Sequence, residues 1–372
     1  MTAGAPMVNV KRLHQLLRKM VNIYSPPGKE NDLVDFLHNY LKRQGLPVVR
    51  QAVDEDRYNL IVEPDDTESQ LVLIGHLDTV EAYDLDAYEF RQEDEQAFGL
   101  GTADMKSGCA AMVEAFLTLW ENGHTRMPAT LALVVGEEEY GDGAQRLVRE
   151  YEFATAIVGE PTDLVPCLSH YGYLEVHLTT RGRRVHASLA PHAPNAATDM
   201  LHLLLEVIQH FDSKLPEAVY NLRDLTSSRK GFAVPDFCEA WIDLHLPAMA
   251  DMGKLTFELE ELHGKYRASH PDSDSAIHFT TIHAGYELPQ RGPIVEELRR
   301  IYDCHGLPFA PVSFPSHSDA NILWAAGIKP ILLGPGRLEK AHTADESVYL
   351  PQVFHAAQIY ADIALGLYKS DS

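Results

Sequence analysis

Cysteine is scarce in this chain. Cys109, Cys167, Cys238 and Cys304 are the only four among 372 residues, and no two form a C-x-x-C pair. Such spacing indicates neither a cysteine zinc site nor a disulfide framework. Positive charge is short as well: Lys and Arg total 31 against 54 Asp and Glu, a formal net charge of −23. That balance argues against nucleic acid, which requires basic surface. No apolar run approaches membrane-spanning length, and the opening MTAGAPMVNVKRLHQ has no apolar signal core. The expectation is a cytoplasmic protein with neither membrane nor nucleic-acid partners. There is no G-x-S-x-G, which disfavours a serine hydrolase, and no H-E-x-x-H, which disfavours a single-zinc helix protease. The GLGTAD stretch is not a dinucleotide fingerprint, because Asp104 stands where its last glycine belongs.

What is present suits a soluble globular protein: 45% hydrophobic and 23% charged residues. A chain this long exceeds one ordinary core, so two domains are expected. The organising stretch is Leu71–Asp78, LVLIGHLD. Four large apolar residues closed by a glycine read as a strand covered on both faces, and His76-x-Asp78 follows at its carboxyl end. In an open α/β sheet that edge is where ligands bind. Glu137-Glu138-Glu139 follows TLALVVG, and Glu160 follows Ala156–Gly159. One sheet edge would then carry a histidine and several carboxylates, a group that repels itself unless a cation sits within it. A metal site, with two metals, is the working expectation.

The periodicity predicts helices over 8–24 and from Leu33 to Gly45, the latter with Leu33, Phe36, Leu37, Tyr40 and Leu41 on one stripe. Strands are expected near 47–52 and 58–63, a loop over 84–103, a helix through Trp120, a strand at Thr130–Val135, a helix near 143–151 and a strand near 155–159. After about Tyr171 the pattern changes to alternation, in LEVHLTTRG and CEAWIDLHL, as in a sheet with one solvated face. With helices at Asn195–Phe211 and near 251–268 and a strand near 276–283, this forms a β-α-β-α-β set. Helices at 293–305, Ser318–Ala326 and 351–368 and a strand at Pro330–Leu333 restore the first texture. The expected architecture is an α/β catalytic domain (1–171 and 289–372) with a mainly parallel sheet covered by helices. It is interrupted by a smaller α+β lid or dimerisation domain (172–288).

Taken singly, each candidate has an ordinary reading. His76 and Asp78 could be a surface pair, Asp104 a helix cap, the three glutamates a solvated run, Glu160 a helix-start acid and His342 a loop histidine. Together they are distinctive. GHLDTV, GLGTADMKSG, GEE, GEPTD and AHTADE occur in this order, and the combination resembles the di-zinc amidohydrolases that include acetylornithine deacetylase, succinyl-diaminopimelate desuccinylase, aminoacylase and glutamate carboxypeptidase. The resemblance runs from SPPGKE to AHTADESV.

The resemblance implies that His76 and Glu160 bind one zinc, Glu138 and His342 the other, and that Asp104 bridges both. Cobalt or manganese can substitute, since the donors are imidazole and carboxylate. Asp78 would hydrogen-bond the far nitrogen of His76, and Glu137 would be the general base. Glu139 leaves the register open; Glu137-Glu138 is preferred because it keeps the family's spacing to Gly143-Ala144. RGRRVHASLAPHAPNAA resembles the family's R-G-x-x-x-H-x-S-x-P segment, in which His186 would stabilise the oxyanion of a neighbouring subunit's site. His192 lies close enough to compete for that role, and a structural histidine is the plainer alternative. Where relatives carry D-x-R, this chain has His245, so Arg337, after the turn at Gly334–Gly336, is the candidate replacement, with Asn195 as a second substrate contact. The implied enzyme is a homodimer that hydrolyses an N-acyl amino acid. A dipeptidase or carboxypeptidase uses the same constellation and differs only in what flanks the amide, so the small-molecule partner is an N-acyl amino acid or, on this alternative, a short peptide. A catalytically silent binding protein is the reading from another class, and the complete ligand set argues against it.

Overall fold

The computed structural model describes residues 5–64, 70–82, 88–127, 129–228 and 231–370. It divides into two compact units, Met1–Leu168 with Leu288–Phe314 and Ser318–Ser372, and Ser169–Glu287 with Pro315–His317. The second unit thus begins and ends within three residues of the expected insert. It also takes Pro315–His317, which no composition shift marks.

The first unit opens with α1 (Val10–Val21), whose Leu13, Leu16, Leu17, Met20 and Val21 are buried along one face and whose N-cap Asn9 accepts from the Arg12 N–H. Helix α2 (Asn31–Arg43) buries Leu33, Val34, Leu37 and Leu41. Strands β1 (Val48–Ala52), β2 (Tyr58–Val62) and β3 (Leu71–His76) follow, and β3 is buried at every position. Within the expected loop, residues 88–103 contain two short strands, β4 (Arg91–Glu93) and β5 (Gln96–Phe98); residues 84–87 lie outside the described residues. Helix α3 (Lys106–Glu121) is buried from Lys106 to Leu119, as a helix under a sheet and further helices must be. Then come β6 (Ala129–Val134), α4 (Asp142–Glu150), β7 (Thr155–Val158) and β8 (Cys167–His170), which ends in the second unit.

The second unit continues with β9 (Gly172–Arg181), α5 (Ala196–Lys214), β10 (Val219–Ser227), β11 (Phe237–Leu246), α6 (Met252–Ser269), β12 (Asp274–His283) and β13 (Tyr286–Glu287). Its sheet runs β10-β11-β9-β12, antiparallel throughout, and β13 pairs with the end of β8. Leu174, Val176 and Leu178 of β9 and Ala240, Ile242 and Leu244 of β11 pack on Met200, Leu203 and Val207 of α5 and Leu259 and Tyr266 of α6. The expected set lacked β10. That strand is an edge, exposed or half-exposed along its whole length, so neither face imposes an apolar alternation on its sequence.

Back in the first unit, α7 (Pro293–His305) starts with proline at its first position and closes on Gly306 in the left-handed region at φ 67°. Strand β14 (Val312–Phe314), α8 (Asp319–Ala325), β15 (Lys329–Leu332), β16 (Ser347–Tyr349) and α9 (Leu350–Ser370) complete the chain. The main sheet of this unit has the order β1-β2-β6-β3-β7-β15-β8. The β3–β6, β3–β7 and β7–β15 pairings are parallel and central, and the margins are antiparallel. Strands β16, β5 and β4 form a small separate sheet. No helix among the described residues is long and apolar enough to cross a membrane.

Candidate metal centre

With β3 between β6 and β7, the carboxyl ends of three parallel strands lie side by side, and each delivers acid or imidazole to one edge. His76 is the last residue of β3, and the Leu77 N–H still donates to Val134 O at 2.8 Å. After β6 the chain turns at Gly136, in the left-handed region at φ 76°, where a Cβ would lie 2.0 Å from Asp142 Oδ1. That turn presents Glu137 and Glu138. After β7, the Gly159 N–H donates to Ile74 O at 3.1 Å, so the pairing continues up to Glu160. Asp104 precedes α3 by two residues, in a loop that begins at Gly99. His342 comes from the loop between β15 and β16, at φ 58°.

Two groups of ligand atoms converge there, each within 4.8 Å: His76, Asp104 and Glu160, and Asp104, Glu138 and His342. Asp104 belongs to both, and its two oxygens diverge. Oδ1 lies 3.1 Å from His76 Nε2, and Oδ2 lies 3.5 Å from His342 Nε2. Glu160 Oε1 is 3.8 Å from His76 Nε2, and Glu138 Oε2 is 3.1 Å from His342 Nε2. Glu137 is in neither group, although its Oε2 is 3.8 Å from His76 Nε2. Glu139 is exposed and joins neither group.

Asp78 sits differently from the expectation. His76 Nδ1 is 3.1 Å from the Asp78 backbone carbonyl and 3.7 Å from its carboxylate. The carboxylate instead accepts the Glu138 N–H at 2.8 Å. The short His-x-Asp spacing brings the carbonyl back under the ring, and donation of Nδ1–H to it directs Nε2 at the carboxylates, the nitrogen a neutral ring would offer to a cation. Asp78 therefore couples the ends of β3 and β6.

The donor set suits a cation. Burial pushes the Glu137 and Glu160 carboxyls well above the usual carboxylate range, and that of Glu138 upward. Burial opposes charge on His76 too, but its hydrogen bond to Asp104 and the charges of Glu137, Asp78 and Glu160 hold it well above its ordinary value. For His342, whose side chain is half exposed, partial burial is outweighed by the hydrogen bond to Glu138 and the surrounding acids, which lift it to about 9. Glu160 Oε1 is buried without a hydrogen-bond partner. Such an arrangement favours positive charge at its centre, and imidazole with carboxylate matches zinc, cobalt or manganese.

Three further buried residues lie at or beside the site without having been singled out in the sequence. Asp319, the first residue of α8, is buried with Oδ1 unpartnered, and its charge acts on Glu137 and Glu160; Ser318-Asp319 had read only as a helix start. Lys106 is buried and donates through Nζ to Met20 O at 3.2 Å and Ile23 O at 2.8 Å. Glu346 grips the Asp104 loop. It shares the AHTADE motif with His342, the one signal that could have marked it.

The remaining expected residues have local roles in the structure. His186 is exposed, with Nδ1 2.8 Å from Ser188 Oγ. Asn195 caps α5 by accepting from the Ala197 and Thr198 N–H groups. His192 is exposed. His245 packs on Tyr173 with ring centroids 5.3 Å apart. Arg337 is largely exposed, 3.8 Å from both Asp163 and Glu339.

An α/β sheet whose carboxyl edge gathers imidazole–carboxylate groups around one shared aspartate has the arrangement of a metal-dependent hydrolase. The chain is a member of the peptidase family M20/M25/M40, whose model matches residues 72–366. It is similar to acetylornithine deacetylase of Vibrio vulnificus, 26% identical over 337 residues, 84% of this chain and 85% of that one. It is also similar to a Staphylococcus epidermidis protein named probable succinyl-diaminopimelate desuccinylase, 31% identical over 196 residues, 50% of this chain and 48% of the relative. That second match spans about half the length of the relative. Among solved structures, a tripeptidase from Staphylococcus aureus superposes with a TM-score of 0.78 at 20% identity, covering 97% of this chain and 99% of that one. A dinuclear metal-binding peptidase from Bacillus subtilis superposes with a TM-score of 0.69 at 10% identity, covering 97% and 98%. These two share the fold.

Proposed function

We propose that the chain hydrolyses the amide bond of an N-acyl amino acid. The reading rests above all on Asp104, whose two oxygens face two different imidazoles while Glu137 stands beside the groups and outside them. His76 and Glu160 would hold one ion, Glu138 and His342 the other, and Asp104 both. Two divalent ions, zinc on this reading with cobalt or manganese able to substitute, would acidify a water and polarise the amide carbonyl. Glu137 takes the water's proton as the oxygen bonds to the carbonyl carbon, and it delivers a proton to the amide nitrogen as the C–N bond breaks. Its Oε2 stands 3.8 Å from His76 Nε2, beside the candidate ligands, where a carboxylate can pass that proton from the water to the leaving nitrogen. Asp78 keeps Glu138 and His76 in place through the bonds described above.

Resemblance to the deacetylase over most of both chains supports an acyl amino acid as substrate, with Arg337 and Asn195 as contacts for its polar groups. A homodimer fits the second unit. Among the described residues β10 is an edge strand with no neighbour on its outer side, Val219 is 59% and Leu225 45% exposed, and α5 exposes Leu201 and Leu205. A second copy would cover these apolar side chains, and His186 would act in the partner's site. The deciding experiment is metal analysis followed by a panel of N-acetyl, N-succinyl and dipeptide substrates. Metal-dependent turnover of an N-acyl amino acid is expected. Turnover confined to dipeptides would replace this reading with a dipeptidase, and no turnover by metal-loaded protein would replace it with a binding role.

A further inference from the structure

Glu346 is 3% exposed and four residues beyond His342. Its Oε2 accepts the Gly101 N–H at 2.9 Å, and its Oε1 accepts those of Ala103 at 2.8 Å and Asp104 at 3.0 Å. Its backbone carbonyl accepts the Gly99 N–H at 3.1 Å. Four N–H groups of the loop that carries Asp104 therefore end on one residue. The Glu346 N–H in turn donates to Thr343 O at 3.2 Å, which closes the turn holding His342. The loop needs such an anchor. Gly99 and Gly101 occupy φ 137° and 81°, conformations open to glycine and costly for other residues. Successive N–H groups in such a loop make a concave anion seat. Here the anion is a side chain of the other ligand-bearing loop.

We propose that Glu346 is a positioning residue that locks the Asp104 loop to the His342 loop, so that the Asp104–Glu138–His342 group depends on it more than the His76–Asp104–Glu160 group does. The reason is connectivity. In the first group only Asp104 is held by Glu346, while His76 and Glu160 extend directly from β3 and β7. In the second, both Asp104 and His342 sit on loops that Glu346 joins. The inference rests on the proposed metal reading, and calorimetric titration of metal-free full-length protein with Zn²⁺ separates the two. Wild type should bind two ions. Glu346→Ala should weaken one binding event by roughly 10–100-fold, the usual effect of losing a residue that orients a ligand, and leave the other within about threefold. Glu346→Gln keeps an oxygen for Ala103 and Asp104 but turns an NH₂ toward Gly101, so it should recover part of the loss and decides the matter if the alanine variant does not fold. A merely structural role would lower the melting temperature of the metal-free variants and leave the ratio of the two affinities unchanged. Equal loss at both sites, or none, overturns the inference; a wild type that binds fewer than two ions overturns the metal reading beneath it.

Discussion

Gly108→Ala tests how closely the framework of the centre is set. Gly108 lies in the first turn of α3, four residues after Asp104, and a Cβ there would sit 2.3 Å from the Gly159 carbonyl oxygen and 3.2 Å from its carbon. Ordinary contact begins near 3.4 Å, so helix and strand end must separate by about 1 Å. The obstacle is backbone and cannot rotate away. On one side of the gap the chain leads to Asp104, and on the other Glu160 is the next residue, so the strain falls on the first ligand group. Alanine would favour the helix by about 1 kcal/mol, against an overpacking cost of roughly 1–3 kcal/mol. The net loss of stability is thus small. A misplacement of about 1 Å among reacting groups, by contrast, can cost on the order of 10²-fold in rate. Urea denaturation, bound metal and kcat/KM on an N-acyl amino acid, measured on the same preparation, should show activity falling far more than stability. Wild-type kcat/KM in a stable, metal-replete Gly108→Ala would refute the claim that this contact sets the distance between Asp104 and Glu160.

Further outcomes are expected. Glu137→Gln should retain its metals and lose roughly 10²–10⁴-fold in turnover; a Glu137→Gln that stays active while Glu138→Gln loses turnover but keeps its metals moves the base–ligand register to Glu138-Glu139. Mixing Glu137→Gln with His186→Ala under conditions of subunit exchange should restore up to about a quarter of wild-type activity, because half the dimers are mixed and each holds one intact site; no recovery after verified exchange means that His186 does not act in trans. Acid should weaken the second unit through His170, which is fully buried and pushed down to about 4 by that burial. The folded state favours neutral His170, so its contribution is complete above the unfolded value near 6.5 and is lost as pH falls from there toward 4, up to about 3 kcal/mol. The stability gap between wild type and His170→Asn, followed by urea denaturation, should narrow over that range; a constant gap assigns the acid sensitivity elsewhere.

Local pattern carried much of the framework. The apolar run LVLIG reads as a strand covered on both faces, and β3 is buried throughout. The alternation in CEAWIDLHL appears as an inner face of Cys238, Ala240, Ile242, Leu244 and Leu246. Such periodicities are properties of neighbours in sequence, and each ligand-bearing motif is likewise a short stretch at a strand end or loop. Chain order could not reveal which of these stretches meet. Nothing near Asp104 in sequence announces Glu346, 242 residues away, whose carboxylate receives its N–H. Nor does anything near Glu137 announce Asp319, whose charge reaches it only because α8 packs at the same edge. The part of Asp78 turned on a difference of 0.6 Å between its carbonyl and its carboxylate as seen from His76 Nδ1. Strand β10 escaped because an exposed edge imposes no pattern. Residue types, and the order of motifs that resembles a known family, marked the candidate ligands and the kind of chemistry, since carboxylates gathered at strand ends repel one another until a cation joins them. Tertiary packing alone decided which glutamate faces the centre, which backbone donors are held by a buried acid and which carboxylates sense one another, because hydrogen bonds and charge interactions depend on distance through space and not along the chain.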